Sequence, residues 1–185
     1  MIVLDDDELS RTAPQFIARQ RQCVVAFAKR PLRGVPLTAA LFADWLVLSS
    51  EASMQIDTLP AWAAVIARIG TAARRLLLSG SVSIPPEKAL QYALCDSVVA
   101  ADRDPVEWLE EWIGRRSADA LDSAATLLRM RGADPLESAE FGRLFATGEP
   151  QRGLDAFLRR AEPQFRRLGE PAEKRRGNDR PQRHR

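Results

Sequence analysis

Between Gln22 and Asp57 the chain alternates unbroken apolar runs with short polar breaks. Gln22–Ala28 reads as a buried strand, Gly34 and Pro36 punctuate a turn, Leu37–Ala43 is apolar enough for a buried helix, and Trp45–Leu48 reads as a second buried strand. A buried helix between two buried strands predicts an α/β core unit. Pro36 suits the first turn of that helix, where its missing N–H costs nothing, and the neighbouring N–H groups of such a turn favour anions and developing oxyanions.

The pattern on either side is helical. Asp5, Asp6, Asp7 and Glu8 read as a helix start leading into Ala13–Arg21, since acids suit the positive end of the helix dipole. As contiguous acids they are solvated helix-start residues rather than ligands spaced to converge on a metal. After the break at Thr58-Leu59-Pro60, the segments Ala61–Gly70 and Thr71–Gly80 are rich in alanine and leucine and each ends on glycine, as helices often do. Ser83–Val99 predicts a proline-started helix through Tyr92 and a short strand at Ser97–Val99. From Pro105 onward only helical periodicity remains, with Val106, Leu109 and Ile113 on one face and Trp108 and Trp112 beside it. Helices over Ser117–Arg131, Pro135–Thr147 and Pro150–Arg160 follow. The expected organisation is therefore an α/β core over 1–103, a helical oligomerisation region over 104–165 that packs on the core or on another subunit, and a disordered basic tail over 166–185.

Charge and composition sharpen this picture. The tail carries eight Lys and Arg against three acids, a net +5, so the overall +2 of the 185 residues leaves −3 on the remainder. Basicity belongs to the tail, which lacks the interleaved aromatics of single-strand binders, so a nucleic-acid partner is not expected. No apolar run is long enough for a membrane span and no basic region opens a signal peptide, so a cytoplasmic location is expected. Cys23 and Cys95 lie in apolar surroundings and read as core residues, and the single histidine, His184, excludes a histidine-based triad or a histidine-ligated zinc. No metal and no cofactor are expected.

Three stretches together carry a resemblance to a known family. Cys23–Ala28 (CVVAFA), the turn Gly34-Val35-Pro36, Leu37–Ala43 (LTAALFA), Asp44, Trp45–Ser49 (WLVLS) and Ser50–Met54 (SEASM) run without a gap. Ser83–Val99 (SIPPEKALQYALCDSVV) and Glu140–Phe165 (EFGRLFATGEPQRGLDAFLRRAEPQF) follow in order. This series resembles the crotonase (enoyl-CoA hydratase/isomerase) family, with Ala93 where that family usually has glycine. The resemblance implies a truncated ββα spiral core with a C-terminal α-helical region, assembled as a homo-trimer or hexamer, and an acyl-CoA thioester as ligand or substrate.

What the family does chemically is to stabilise a thioester enolate with two backbone N–H groups, one from an early loop and one from a glycine-rich turn, and hydratases add two glutamates as acid and base. By resemblance the turn's donor falls on the Val35 N–H, the first glutamate on Thr38 and the second at Asp57 or Thr58, Asp57 being the acid of the two, with Phe157 and Arg160 at the CoA nucleotide. A hydroxyl does not titrate near neutral pH, so Thr38 cannot replace a carboxylate base. The chain is expected to begin after the early loop and to lack the opening strands. The expected function is accordingly a catalytically degenerate subunit or auxiliary partner of an enoyl-CoA hydratase/isomerase-type enzyme, in a homo-oligomer or in a hetero-oligomer with a full-length homologue. The alternative is an active, atypical hydratase/isomerase, a lyase or isomerase using Val35 and Asp57.

Overall fold

The computed structural model describes residues 2–80, 83–113, 116–129 and 134–165; the tail expected to be disordered lies outside them. Four parallel strands form the main sheet: β1 (Ile2–Leu4), β2 (Val24–Ala28), β4 (Trp45–Ser49) and β7 (Ser97–Val99), side by side in that order. A smaller sheet holds β3 (Leu32–Arg33), β5 (Met54–Gln55) and β6 (Ser83–Ile84). Two successive ββα turns build both sheets. β2 and β3 lead into α3 (Gly34–Phe42), and β4 and β5 lead into α4 (Leu59–Ile69), each turn placing one strand in each sheet.

Both faces of the main sheet are buried, which is why β2 and β4 read as continuous apolar runs rather than alternating ones. Val24, Ala26, Ala28, Leu46 and Leu48 face one core with α3, α4 and α5 (Ala73–Ser79). Cys23, Val25, Phe27 and Val47 face a second core, closed by Leu109 of α7 (Pro105–Ile113) and Ala125 of α8 (Ala118–Arg129). The helical region thus packs on its own core through these two helices. Its buried face differs from the expected one: Val106 is 61% exposed, while Trp108 and Trp112 lie inward. The indoles stack at 5.6 Å and Trp112 meets Trp45 at 4.3 Å, so the larger rings take the contact with the sheet.

The first 22 residues depart most from expectation. Ile2–Leu4 is a strand paired with β2, not a lead-in to a helix. The helical stretch is split into α1 (Asp6–Arg11) and α2 (Pro14–Ala18), because Pro14 supplies no N–H and holds Ala13 extended, with ψ 134°. α3 starts at Gly34, three residues before Leu37, and the two-residue strands of the small sheet are too short to carry a period in sequence.

The strand starts are tied by aspartates. Asp44 N–H donates to the Val24 carbonyl at 2.9 Å while Val24 N–H donates to the Asp44 carboxylate at 2.7 Å. Asp96 repeats the exchange with Leu46, at 2.8 and 2.7 Å. Each carboxylate also meets an arginine: Arg129 reaches Asp44 and the Gln20 and Gln22 carbonyls, and Arg68 reaches Asp96 and the Leu41 and Ala43 carbonyls. Burial raises the Asp44 pKa, opposed by the Val24 N–H and the Arg129 guanidinium.

Two stability measurements check this reading. Arg129→Ala leaves a partly buried carboxylate without its cation and is expected to cost about 2 kcal/mol in urea unfolding at neutral pH. Because the Asp44 pKa is raised in the folded state, and more so without Arg129, that loss shrinks as pH falls toward 5 and grows as it rises. A loss independent of pH would show that the charge on Asp44 is not what Arg129 serves. Ala93 sits in the left-handed region at φ 58°, where a side chain is strained. Ala93→Gly is expected to gain roughly 0.5–1 kcal/mol, read as a higher urea midpoint.

Candidate functional site

In parallel sheets ligands gather at the carboxyl ends of strands, and two such edges are present here. At the first, the acidic turn that follows β1 abuts the loop that follows β2. Asp5 accepts from the N–H groups of Asp7 (2.9 Å) and Glu8 (3.0 Å), and Glu8 accepts from Asp5 N–H (3.0 Å), forming a capping box. The Asp6 carboxylate accepts from the N–H groups of Lys29 (3.1 Å) and Arg30 (3.4 Å), and Asp7 faces the Arg30 guanidinium at 3.7 Å. A cavity of about 260 Å³ lies beside them, lined by Asp5, Asp6, Asp7, Phe27, Lys29, Arg30 and Pro105. Its nearest amide donors are therefore already engaged by carboxylates of the chain itself. The run of acids marked a helix start in the sequence, but nothing there marked the reach of Asp6 across to the loop after β2.

At the second edge, β3 runs directly into α3 and β5 runs toward α4. The pairs Leu32↔Met54 and Arg33↔Gln55 put Val35 and Asp57 each two residues beyond the last registered pair, so both leave the same end of the small sheet. Gly34 takes φ +55°, a conformation that disfavours a side chain even though a Cβ there would meet no atom within 4 Å. No side chain caps this helix start, and Val35, its second residue, is 57% exposed. Thr38 is buried and its hydroxyl donates to the Gly34 carbonyl at 2.9 Å, a bond within the helix. Asp57 is exposed, immediately before Thr58, whose hydroxyl accepts the Ala61 N–H and caps α4.

The remaining expected residues lie elsewhere. Phe157, 78% exposed, is on α10 (Glu149–Arg159), and Arg160 ends that helix at φ 53°. α10 packs chiefly on α9 (Asp134–Thr147), and α9 on α8. Phe165 folds back onto α10, its ring 3.6 Å from where a Cβ at Gly153 would lie, an ordinary van der Waals distance. Cys23 and Cys95 are buried free thiols, pushed up by burial to about 12 and about 11, so neither supplies a nucleophile near neutral pH. Among the described residues no group of three or more His, Cys, Asp or Glu is placed to hold a metal ion.

Placing a carboxylate at position 38 is expected to disturb the fold. Thr38→Glu buries a charge and is expected to cost about 2–4 kcal/mol in urea unfolding, whereas Thr38→Val, which loses one bond within the helix, costs about 1 kcal/mol. A Thr38→Glu variant as stable as the parent would mean that this position has room and solvent for a catalytic acid.

Comparison with known proteins bears on the fold. No family model and no curated protein matches the sequence. Solved structures do match: an enoyl-CoA hydratase/isomerase family member at TM-score 0.70 and 23% identity, covering 90% of this chain and 68% of its own. An enoyl-CoA hydratase/isomerase from Marinobacter aquaeolei matches at TM-score 0.63 and 22% identity, covering 82% of this chain and 63% of its own. An enoyl-CoA hydratase/carnitine racemase from Magnetospirillum magneticum matches at TM-score 0.66 and 23% identity, covering 86% and 65%. The chain spans about two thirds of the length of these structures. Two successive ββα turns across two sheets, followed by packed helices, give this chain the crotonase fold, that of the enoyl-CoA hydratase/isomerase proteins.

Proposed function

We propose that this chain is a catalytically degenerate, acyl-CoA-associated crotonase-fold subunit that serves an enoyl-CoA hydratase/isomerase-type enzyme. The observation that carries the reading is the closed acidic turn after β1. An enolate oxyanion needs free, preorganised donors, and here the N–H groups of Asp5, Asp7, Glu8, Lys29 and Arg30 all meet carboxylates. Three adjacent aspartates would further oppose a developing negative charge. Thr38 offers no titrating group, and its hydroxyl proton is engaged by Gly34.

One observation favours the alternative of an active, atypical hydratase/isomerase. The uncapped start of α3 leaves Val35 able to offer one backbone donor, and Asp57 leaves the same end of the small sheet. A single donor and a solvated carboxylate make a weak site, since removal of one oxyanion donor typically costs about 10²–10³ in rate.

The partners in this reading are an acyl-CoA and other crotonase-fold subunits, as a homo-trimer or hexamer or as a hetero-oligomer with a full-length homologue. Phe157 and Arg160 would meet the CoA nucleotide. Support for assembly comes from Phe141 and Phe145 on α9 and Leu154, Phe157 and Leu158 on α10, all more than half exposed. Among the described residues no helix is long and apolar enough to cross a membrane, and a cytoplasmic location is part of the proposal.

Calorimetry of the purified chain with a short enoyl-CoA and with CoA alone, beside a solution mass, tests the reading. An oligomer that binds both with similar affinity is expected, because recognition rests on the nucleotide and not on the thioester carbonyl. Enoyl-CoA binding more than about tenfold tighter than CoA, a gap of about 1.4 kcal/mol, would favour the active alternative. Binding of neither would remove acyl-CoA from the account.

A further inference from the structure

We draw no further inference here: the strongest candidate, the apolar face that α9 and α10 turn outward through Phe141, Phe145, Leu154, Phe157 and Leu158, carries nothing beyond the assembly already proposed, because nothing in the structure shows what covers it.

Discussion

The paired exchange between each strand-leading aspartate and the preceding strand is the constraint on which the architecture depends. Asp44 bonds Val24 through both its backbone and its carboxylate, and Asp96 does the same to Leu46. Each bond pair fixes the register of one turn of the spiral on the last, in a parallel sheet where no tight hairpin can set it. Each carboxylate, partly buried at Asp44 and exposed at Asp96, is also paired with a cation. Arg68 comes from α4, within the core, but Arg129 comes from α8, so the start of β2 and β4 is completed only when the helical region has docked. The Asp122 carboxylate, which accepts the Cys23 N–H at 2.8 Å, and the Thr126 hydroxyl, which donates to the Arg21 carbonyl at 2.9 Å, strengthen the same junction. Core and helices are therefore one cooperative structure at this edge, joined by charge-assisted bonds as well as by the tryptophan contacts.

With the amino ends of the strands locked, the carboxyl ends are where chemistry has room. Their two edges differ in kind. The edge after β1 and β2 has donors that carboxylates already satisfy, and it presents Asp5, Asp6 and Asp7 around its cavity. The edge after β3 and β5 has an uncapped helix start, an exposed valine at its second residue and an exposed aspartate. Neither combines two free donors with a titrating group of suitable environment. That difference, more than the loss of a named residue, is the physical basis for reading the chain as a partner rather than as a catalyst.

Much of the fold was legible because buried parallel strands and helices with proline starts and glycine ends leave strong local patterns. β7 stands where its apolar run placed it, and the glycines after α4 and α5 both take a positive φ, as a glycine that ends a helix often does. Ala93 was visible as an oddity in the family pattern, and its positive φ gives the reason that glycine is usual there. The strand Ile2–Leu4 was not legible, since three residues ahead of an acidic helix cap are too few to establish a period. The aspartate braces were hidden for a different reason. Ala43-Asp44 and Cys95-Asp96 each precede an apolar strand and form a visible repeat, but the arginines that complete them lie 85 and 28 residues away. As for the site, the family resemblance marked Thr38 and Asp57, while the burial of one and the exposure of the other arise from tertiary packing.

The most direct test of the central claim, that the donors at the first edge are occupied by the chain itself, is amide hydrogen exchange with and without a saturating short enoyl-CoA. The account predicts unchanged exchange at Asp7, Glu8, Lys29 and Arg30, because their N–H groups remain on the Asp5 and Asp6 carboxylates. Slowed exchange at these four amides, accompanied by consumption of the thioester, would contradict it and identify this edge as a working oxyanion site.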